Sequence, residues 1–414
     1  MDSSKPTALT IGFVGASHLA YVSAVAAAEK GSGEFRVFCY AQKHSFESIK
    51  EPSLTELAQK NKDRLVFTSS AADLGQCDIV YLAIDVPTND QGGSDTSVIT
   101  ESFLNIRDRL NEGCLLVILS QVLPGYTRAL DFDKSRLFYQ VETLIFGKAV
   151  ERALYPERFI VGAQDRVKQL PAILGEYLER YSCPRFIMNY ESAEFAKISI
   201  NMYLTATVTT TNMLASVCEN IGASWSDIAE TLRLDKRIGP YAYLKPGLGI
   251  AGGNLERDMA TVKRLAYEHG CLVKMLEAQI DDSSYRSFWP LRKFKELTGS
   301  KKASVGVLGL SYKENTHSIK NSASVKFINT INGYYTVKAF DPVVKSIPNL
   351  DSQSIMETGQ QVIDSSDFLA ILTPWPEFSE LDYSKFKGDI LDPYAVIKTK
   401  PKSAAVYTLG EVLC

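Results

Sequence analysis

Lys197 and Asn201 stand four positions apart in the run EFAKISINMYL, so a helix projects both from one face. A helical lysine is ordinarily a solvated residue, but here apolar Phe195, Ala196, Ile198 and Ile200 crowd it. In such surroundings a lysine and an amide can hold a substrate oxygen or stabilise an oxyanion. A second stretch, KPGLGIAGGNLERD (245–258), concentrates Gly247, Gly249, Gly252 and Gly253 just before polar Asn254 and charged Glu256, Arg257 and Asp258. Glycine loses the most backbone freedom on folding, so this density predicts that something approaches the loop backbone closely. Upstream, Asp235-Lys236-Arg237-Ile238-Gly239 leads through Tyr243 into that loop. The Arg237 guanidinium suits a forked contact to a phosphate or a sugar hydroxyl, or an ordinary place on the surface.

A third candidate is GASHLA, Gly15 to Ala20, where a strand-like run meets a helical one. A dinucleotide-binding turn reads GxGxxG, and its second glycine lets the backbone reach the pyrophosphate. Only Gly15 is kept; Ser17 and Ala20 take the other two positions, alanine being a tolerated variant at the third. The run FRVFCY should end in an acid for the adenosine ribose, yet continues into Ala41-Gln42-Lys43-His44. Ala41 with Lys43 nearby suits a ribose 2′-phosphate, or weak or absent dinucleotide binding.

The elements that position these residues follow from apolar runs. Segments 8–15, 35–40, 78–84, 114–120 and 158–163 are continuously apolar, as parallel strands covered on both faces should be. A helix is expected over HLAYVSAVAAAEK between the first two, and the alternation predicts a doubly wound parallel sheet. From Ser192 a helical pattern runs for some thirty residues, and a second long helical stretch is expected from about 254 to 297. At Lys301 strands return, in ASVGVLGLSYKENT, TVKAFDP and SSDFLAILTPWPEF. The expected layout is α/β: two Rossmann-like doubly wound domains joined by a central helical domain with a long spine helix. The boundaries expected are 1–190 for dinucleotide binding, 191–300 for the helices and dimerisation, and 301–414 for the nucleotide sugar.

Composition narrows the class. The 414 residues are 45% hydrophobic and 22% charged with a net charge of −3, ordinary for a soluble protein and giving no reason to expect nucleic acid. No apolar run reaches membrane-spanning length, and the polar start MDSSKPTALT is not a secretory signal. The seven cysteines include no CxxC pair, and Cys39, Cys77 and Cys114 sit in or beside strand-like runs, as reduced core thiols of a cytoplasmic protein would. The four histidines (18, 44, 269 and 317) lack ligand spacing, so no metal site is expected.

Taken in order, many stretches resemble the UDP-glucose/GDP-mannose dehydrogenase family. They are VPTN (86–89) with Asp95 after it, SQVLPG (120–125), VETLIFGKAVERALYPERFIVG (141–162) and EFAKISINMYL (194–204). DKRIG (235–239), YLKPGLGIAGGNLERD (243–258), VLGLSYKENTHSIKNS (307–322), FDP (340–342) and ILTPWPEF (371–378) follow. The resemblance implies NAD on the N-terminal domain, with NADP left open by Ala41 and Lys43, and a nucleotide-sugar substrate. It implies a homodimer through the central helices. Family members oxidise the sugar C6 hydroxyl twice, through a covalent adduct on a cysteine of the glycine loop.

Carried over position by position, the catalytic set is Glu142, Lys197, Asn201, Asn254 and Asp258. Cofactor contacts fall at Gly15, Ser17, His18, Leu19, Lys43, Val86, Pro87, Thr88, Ser120, Gln121, Glu142 and Lys320. Substrate contacts fall at Lys197, Asn201, Arg237, Tyr243, Gly247, Gly249, Gly252, Gly253 and Lys313. Departures matter equally. Asn254 occupies the cysteine position, and an amide has no nucleophile comparable to a thiolate. Arg257 replaces a lysine, Gln121 a threonine, Phe146 a second glutamate and Lys320 an arginine. Two readings follow: an oxidoreductase that makes one hydride transfer, or a nucleotide-sugar-binding protein without redox chemistry.

Overall fold

The computed structural model describes residues 8–87, 93–165, 169–299 and 303–411. Contacts divide the chain into two compact units, Met1–Ile200 and Asn201–Cys414.

The first unit is built on an eight-stranded sheet of order β3-β2-β1-β4-β5-β6-β7-β8. Its strands are β1 (Leu9–Val14), β2 (Phe35–Tyr40), β3 (Leu65–Thr68), β4 (Ile79–Leu82), β5 (Leu115–Ile118), β6 (Leu137–Gln140), β7 (Phe159–Ala163) and β8 (Arg185–Asn189). Side chains of β1, β2, β4 and β5 are buried on both faces, which is why these strands read as unbroken apolar runs. Helices α1 (His18–Lys30), α2 (Leu54–Lys60), α3 (Ser97–Arg107), α4 (Tyr126–Ala129), α5 (Ala149–Leu154) and α6 (Ala172–Glu179) connect them. The order reverses at β1, so the carboxyl ends of β1 and β4 flank the crevice where such sheets bind ligands. The expected doubly wound parallel sheet is present, with one antiparallel pairing in it, β7 with β6, Tyr139 opposite Gly162. A buried run looks the same in either direction.

Helix α7 (Tyr190–Ile221, 32 residues) spans the unit boundary, as its periodicity predicts. The second unit continues with α8 (Trp225–Leu234), α9 (Asn254–Glu268), α10 (Lys274–Ser287) and α11 (Trp289–Thr298). The single stretch expected over 254–297 is thus three helices. Gly270 at φ +66 ends α9, and Pro290 begins α11, where its missing N–H costs nothing. A five-stranded parallel sheet of order β10-β9-β11-β12-β13 completes the unit. Its strands are β9 (Ser304–Leu308), β10 (Thr336–Phe340), β11 (Phe368–Ile371), β12 (Ile390–Leu391) and β13 (Val406–Tyr407), packed by α12 (Ala323–Ile331) and α13 (Gly359–Asp364).

Cys39, Cys77 and Cys114 are buried, and burial pushes each thiol up to about 12, as inert core residues. Among the described residues no helix is long and apolar enough to cross a membrane.

Candidate active site

In the first unit the β1–α1 turn is shaped as a pyrophosphate cradle. Gly15 sits at φ +138, and a Cβ there would stand 2.5 Å from the Ala83 carbonyl oxygen beyond β4, so no other residue fits. Ser17 does not obstruct the turn. Its hydroxyl points inward, donating to the Ala83 carbonyl (2.7 Å) and capping α1 by accepting from the Ala20 amide (2.9 Å). The amides of His18 and Leu19 remain at the open end of a 13-residue helix, where the dipole favours an anion. These residues fit a dinucleotide. Ser120 is fully buried and serves structure: its hydroxyl accepts from Ile84 N–H (2.7 Å) and donates to the Leu82 carbonyl (3.2 Å). Gln121 follows it at the crevice. Val86 and Pro87 extend from β4, while Thr88 lies outside the described residues. Ala41 is buried, and Lys43 is exposed two positions on.

Glu142 follows β6, and burial raises its carboxyl above the ordinary glutamate range. The Thr143 amide, Lys197 and Arg152 pull the other way. Lys197 and Glu142 are therefore electrostatic neighbours within this unit. One turn before Lys197, Glu194 is fully buried and accepts from the amides of Gly125 (2.6 Å) and Thr127 (2.9 Å). It fastens the loop that begins at Gln121 to α7.

The second unit gathers the rest of the helix pair. The Asn201 amide nitrogen donates to Asp258 Oδ2 (2.5 Å), and Arg257 Nε faces Asp258 Oδ1 at 3.3 Å. All three are buried, and the charges of Arg257 and Asp258 offset one another. Asn254 is the exposed first residue of α9, one turn before Asp258.

The glycine loop proves to be pinned from beneath. Gly247 N–H donates to Asn212 Oδ1 (2.8 Å), Leu248 N–H to the Tyr394 hydroxyl (3.4 Å) and Ile250 N–H to Ser283 Oγ (2.7 Å). Gly252 N–H reaches the Lys320 carbonyl (3.4 Å). A Cβ on Gly249 (φ +87) would lie 2.4 Å from the Ser283 carbonyl, and one on Gly252 (φ +89) 2.9 Å from the Tyr312 ring. The close approach that this loop predicts is therefore, at these two positions, an approach to its own protein. Gly253 meets nothing within 4 Å, and Gly247 only an ordinary contact with Tyr394. Lys313 lies in the loop after β9, its ammonium 5.8 Å from the Tyr312 ring centre. Arg237 is exposed (89%), and its fork is already taken by Asp235, at 3.0 and 2.6 Å. Tyr243 is also exposed, with its carbonyl held by the Thr211 hydroxyl (2.9 Å).

Three residues escape the sequence reading. Glu51 is buried, accepting from the amides of Gly147 (3.0 Å) and Ala149 (2.7 Å) and pairing with His18 Nε2 (3.0 Å). It thereby joins the start of α1 to the segment that follows Glu142, where the Phe146 ring lies over His18 with centres 4.5 Å apart. Nothing in EPSLTEL distinguishes this acid from a surface one. Asp341, at the end of β10, accepts from the amides of Leu310, Ser311, Val343 and Val344 and from Trp375 Nε1. Burial pushes its carboxyl up, but those amides outweigh it and hold it below the ordinary aspartate range. The FDP and WP motifs were the available signal. Asp392 similarly holds the amides of Val396 and Ile397.

Comparison with known proteins accords with this construction. Models of the UDP-glucose/GDP-mannose dehydrogenase family match the chain throughout: the NAD binding domain over residues 10–179, the central domain over 191–282 and the UDP binding domain over 306–402. The chain is 30% identical over 356 residues to a UDP-glucose 6-dehydrogenase of Rickettsia bellii, spanning 81% of this chain and 79% of that one. With the Bacillus subtilis UDP-glucose 6-dehydrogenase it shares 28% over 416 residues, or 93% and 88% of the two chains. In fold it is similar to a UDP-glucose dehydrogenase from Pyrobaculum islandicum, with TM-score 0.82, 24% identity and 100% of both chains covered. Domain by domain, the chain belongs to the UDP-glucose/GDP-mannose dehydrogenase family and takes NAD as its cofactor.

Proposed function

We propose that this chain oxidises a UDP-sugar once, at the C6 hydroxyl, and releases the product at the carbonyl stage. The observation that carries this reading is Asn254, exposed at the head of α9, where a nucleophile would have to stand. An amide cannot form the thiohemiacetal from which a second hydride would leave. The groups that serve the first oxidation are retained. Lys197 steadies the reacting oxygen; Asn201 and Asp258 fix one another within hydrogen-bond reach. Glu142 takes the hydroxyl proton, and burial, by raising its carboxyl above the ordinary glutamate range, makes the carboxylate a stronger base. Bound NAD supplies the hydride acceptor, held by the turn at Gly15 and the amides that open α1. The open glycine, Gly253, and Lys313 are the contacts we assign to the nucleotide sugar.

The reading predicts one NADH per UDP-sugar consumed, with an aldehyde captured by hydroxylamine and no carboxylate. Two NADH per sugar with a uronate product would overturn it. Asn254→Cys should restore some carboxylate, since a helix N-terminus favours a thiolate. A second reading, binding without turnover, is favoured by Asp258, whose two oxygens are already engaged by Asn201 and Arg257. It expects calorimetric binding of NAD and UDP-sugar with no NADH formed. We also propose a homodimer through α7, whose Met213, Leu214, Val217 and Ile221 form an exposed apolar stripe.

A further inference from the structure

Beside Glu142, in the first unit, lies a small cavity of about 40 Å³. Tyr81, Gln140, Glu142, Arg152, Tyr177 and Tyr181 border it. Three tyrosines line the void, and their buried hydroxyls are costly unless each is hydrogen-bonded. Tyr81 donates to the Gln140 side-chain carbonyl (3.2 Å), immediately before the segment that carries Glu142. The Tyr177 and Tyr181 hydroxyls share one bond of 2.9 Å. Within that pair only one proton is used, so the other hydroxyl is left with a proton to give to a further acceptor such as cavity water. The void is large enough and polar enough to hold water. Its rim continues past Pro156 to Arg158, which is one-third exposed at its side chain (34%).

We propose that this cavity is the proton exit of the oxidation, with water and the Tyr177–Tyr181 hydroxyl pair relaying the proton from Glu142 to the surface at Arg158. The proposal rests on the reading of Glu142 as proton acceptor. In each turnover the sugar C–H bond breaks and its hydride reduces the nicotinamide. The hydroxyl O–H bond breaks, its electron pair completes the carbonyl, and the proton bonds to the Glu142 carboxylate. That proton then passes to cavity water, each hydroxyl accepting one proton as it releases another, and the carboxylate is restored. The phenols never ionise, because burial holds both well above the ordinary tyrosine range. The charged groups around the chain are Lys197 on α7 and Arg152 on α5, facing Glu142, and Lys30 on α1, 5.6 Å from the Tyr181 ring centre.

Tyr177→Phe removes the bridging hydroxyl while keeping the ring, and tests the relay in the full-length protein. We expect kcat to fall about tenfold with KM for UDP-glucose unchanged, and the solvent deuterium isotope effect on kcat to rise. Without substrate, the infrared carbonyl band of protonated Glu142, identified by its loss in Glu142→Gln, should shift in Tyr177→Phe because its hydrogen-bonded chain is cut. A folded Tyr177→Phe protein with unchanged kcat, isotope effect and carboxyl band overturns the relay. Tyr181→Phe provides the same measurements should Tyr177→Phe lose its fold. The reading of Glu142 fails separately, by full activity in Glu142→Gln.

Discussion

At the scale of single residues, Glu142 links stability to proton binding. Burial raises its pKa, so the folded chain holds the proton more tightly than the unfolded chain does. The stability this gives is complete below the ordinary glutamate pKa and is lost as pH rises through the folded value. Glu142→Gln should therefore match wild type at acid pH and exceed it in stability at alkaline pH. Urea midpoints measured across that range check the sign. Activity should move oppositely, rising with pH as the carboxylate forms, and that limb should vanish in the variant. Lys197 and Asn201 were legible because helical spacing is a local property. Glu51 and the Tyr177–Tyr181 pair were not, because their partners lie far along the chain and only the closed sheet brings them together.

At the scale of elements, the glycine loop separates structural glycines from one that can report on ligand. Gly249→Ala sets a Cβ against the Ser283 carbonyl at positive φ, and should destabilise the protein by about 2 kcal/mol or more. Gly253→Ala meets open space at φ −94. It should leave the melting temperature unchanged while raising KM for the UDP-sugar several-fold, if the sugar lies there as proposed. Paired thermal melts and initial rates distinguish the two. The loop's density of glycine was visible in sequence, but the thing approached, largely Ser283 and Tyr312, was not. Strands β3, β6 and β8 went unread for a related reason: four- or five-residue runs with charged or polar ends carry little pattern of their own. The division of α9 to α11 was signalled by Gly270 and Pro290, but the amphipathic pattern on either side outweighed those two residues.

At the scale of the whole molecule, the proposed dimer is tested at the stripe on α7. Val217→Glu with Ile221→Glu sets two charges on an apolar face, and should convert a dimer into a monomer in sedimentation velocity without loss of helix content. A chain that sediments as a monomer before substitution would remove the proposal. The α/β-helix-α/β order was readable end to end, because each domain carries its own strand and turn signals. The two α/β domains also differ at one comparable position, the end of the second strand. In the first it is Ala41, which offers no carboxylate to a ribose. In the second it is Asp341, and its carboxylate already holds the loops that follow β9, β10 and β11. An acid so committed cannot also greet an adenosine. The C-terminal domain has thus turned the acid at the end of its second strand into a rivet for the three loops around it.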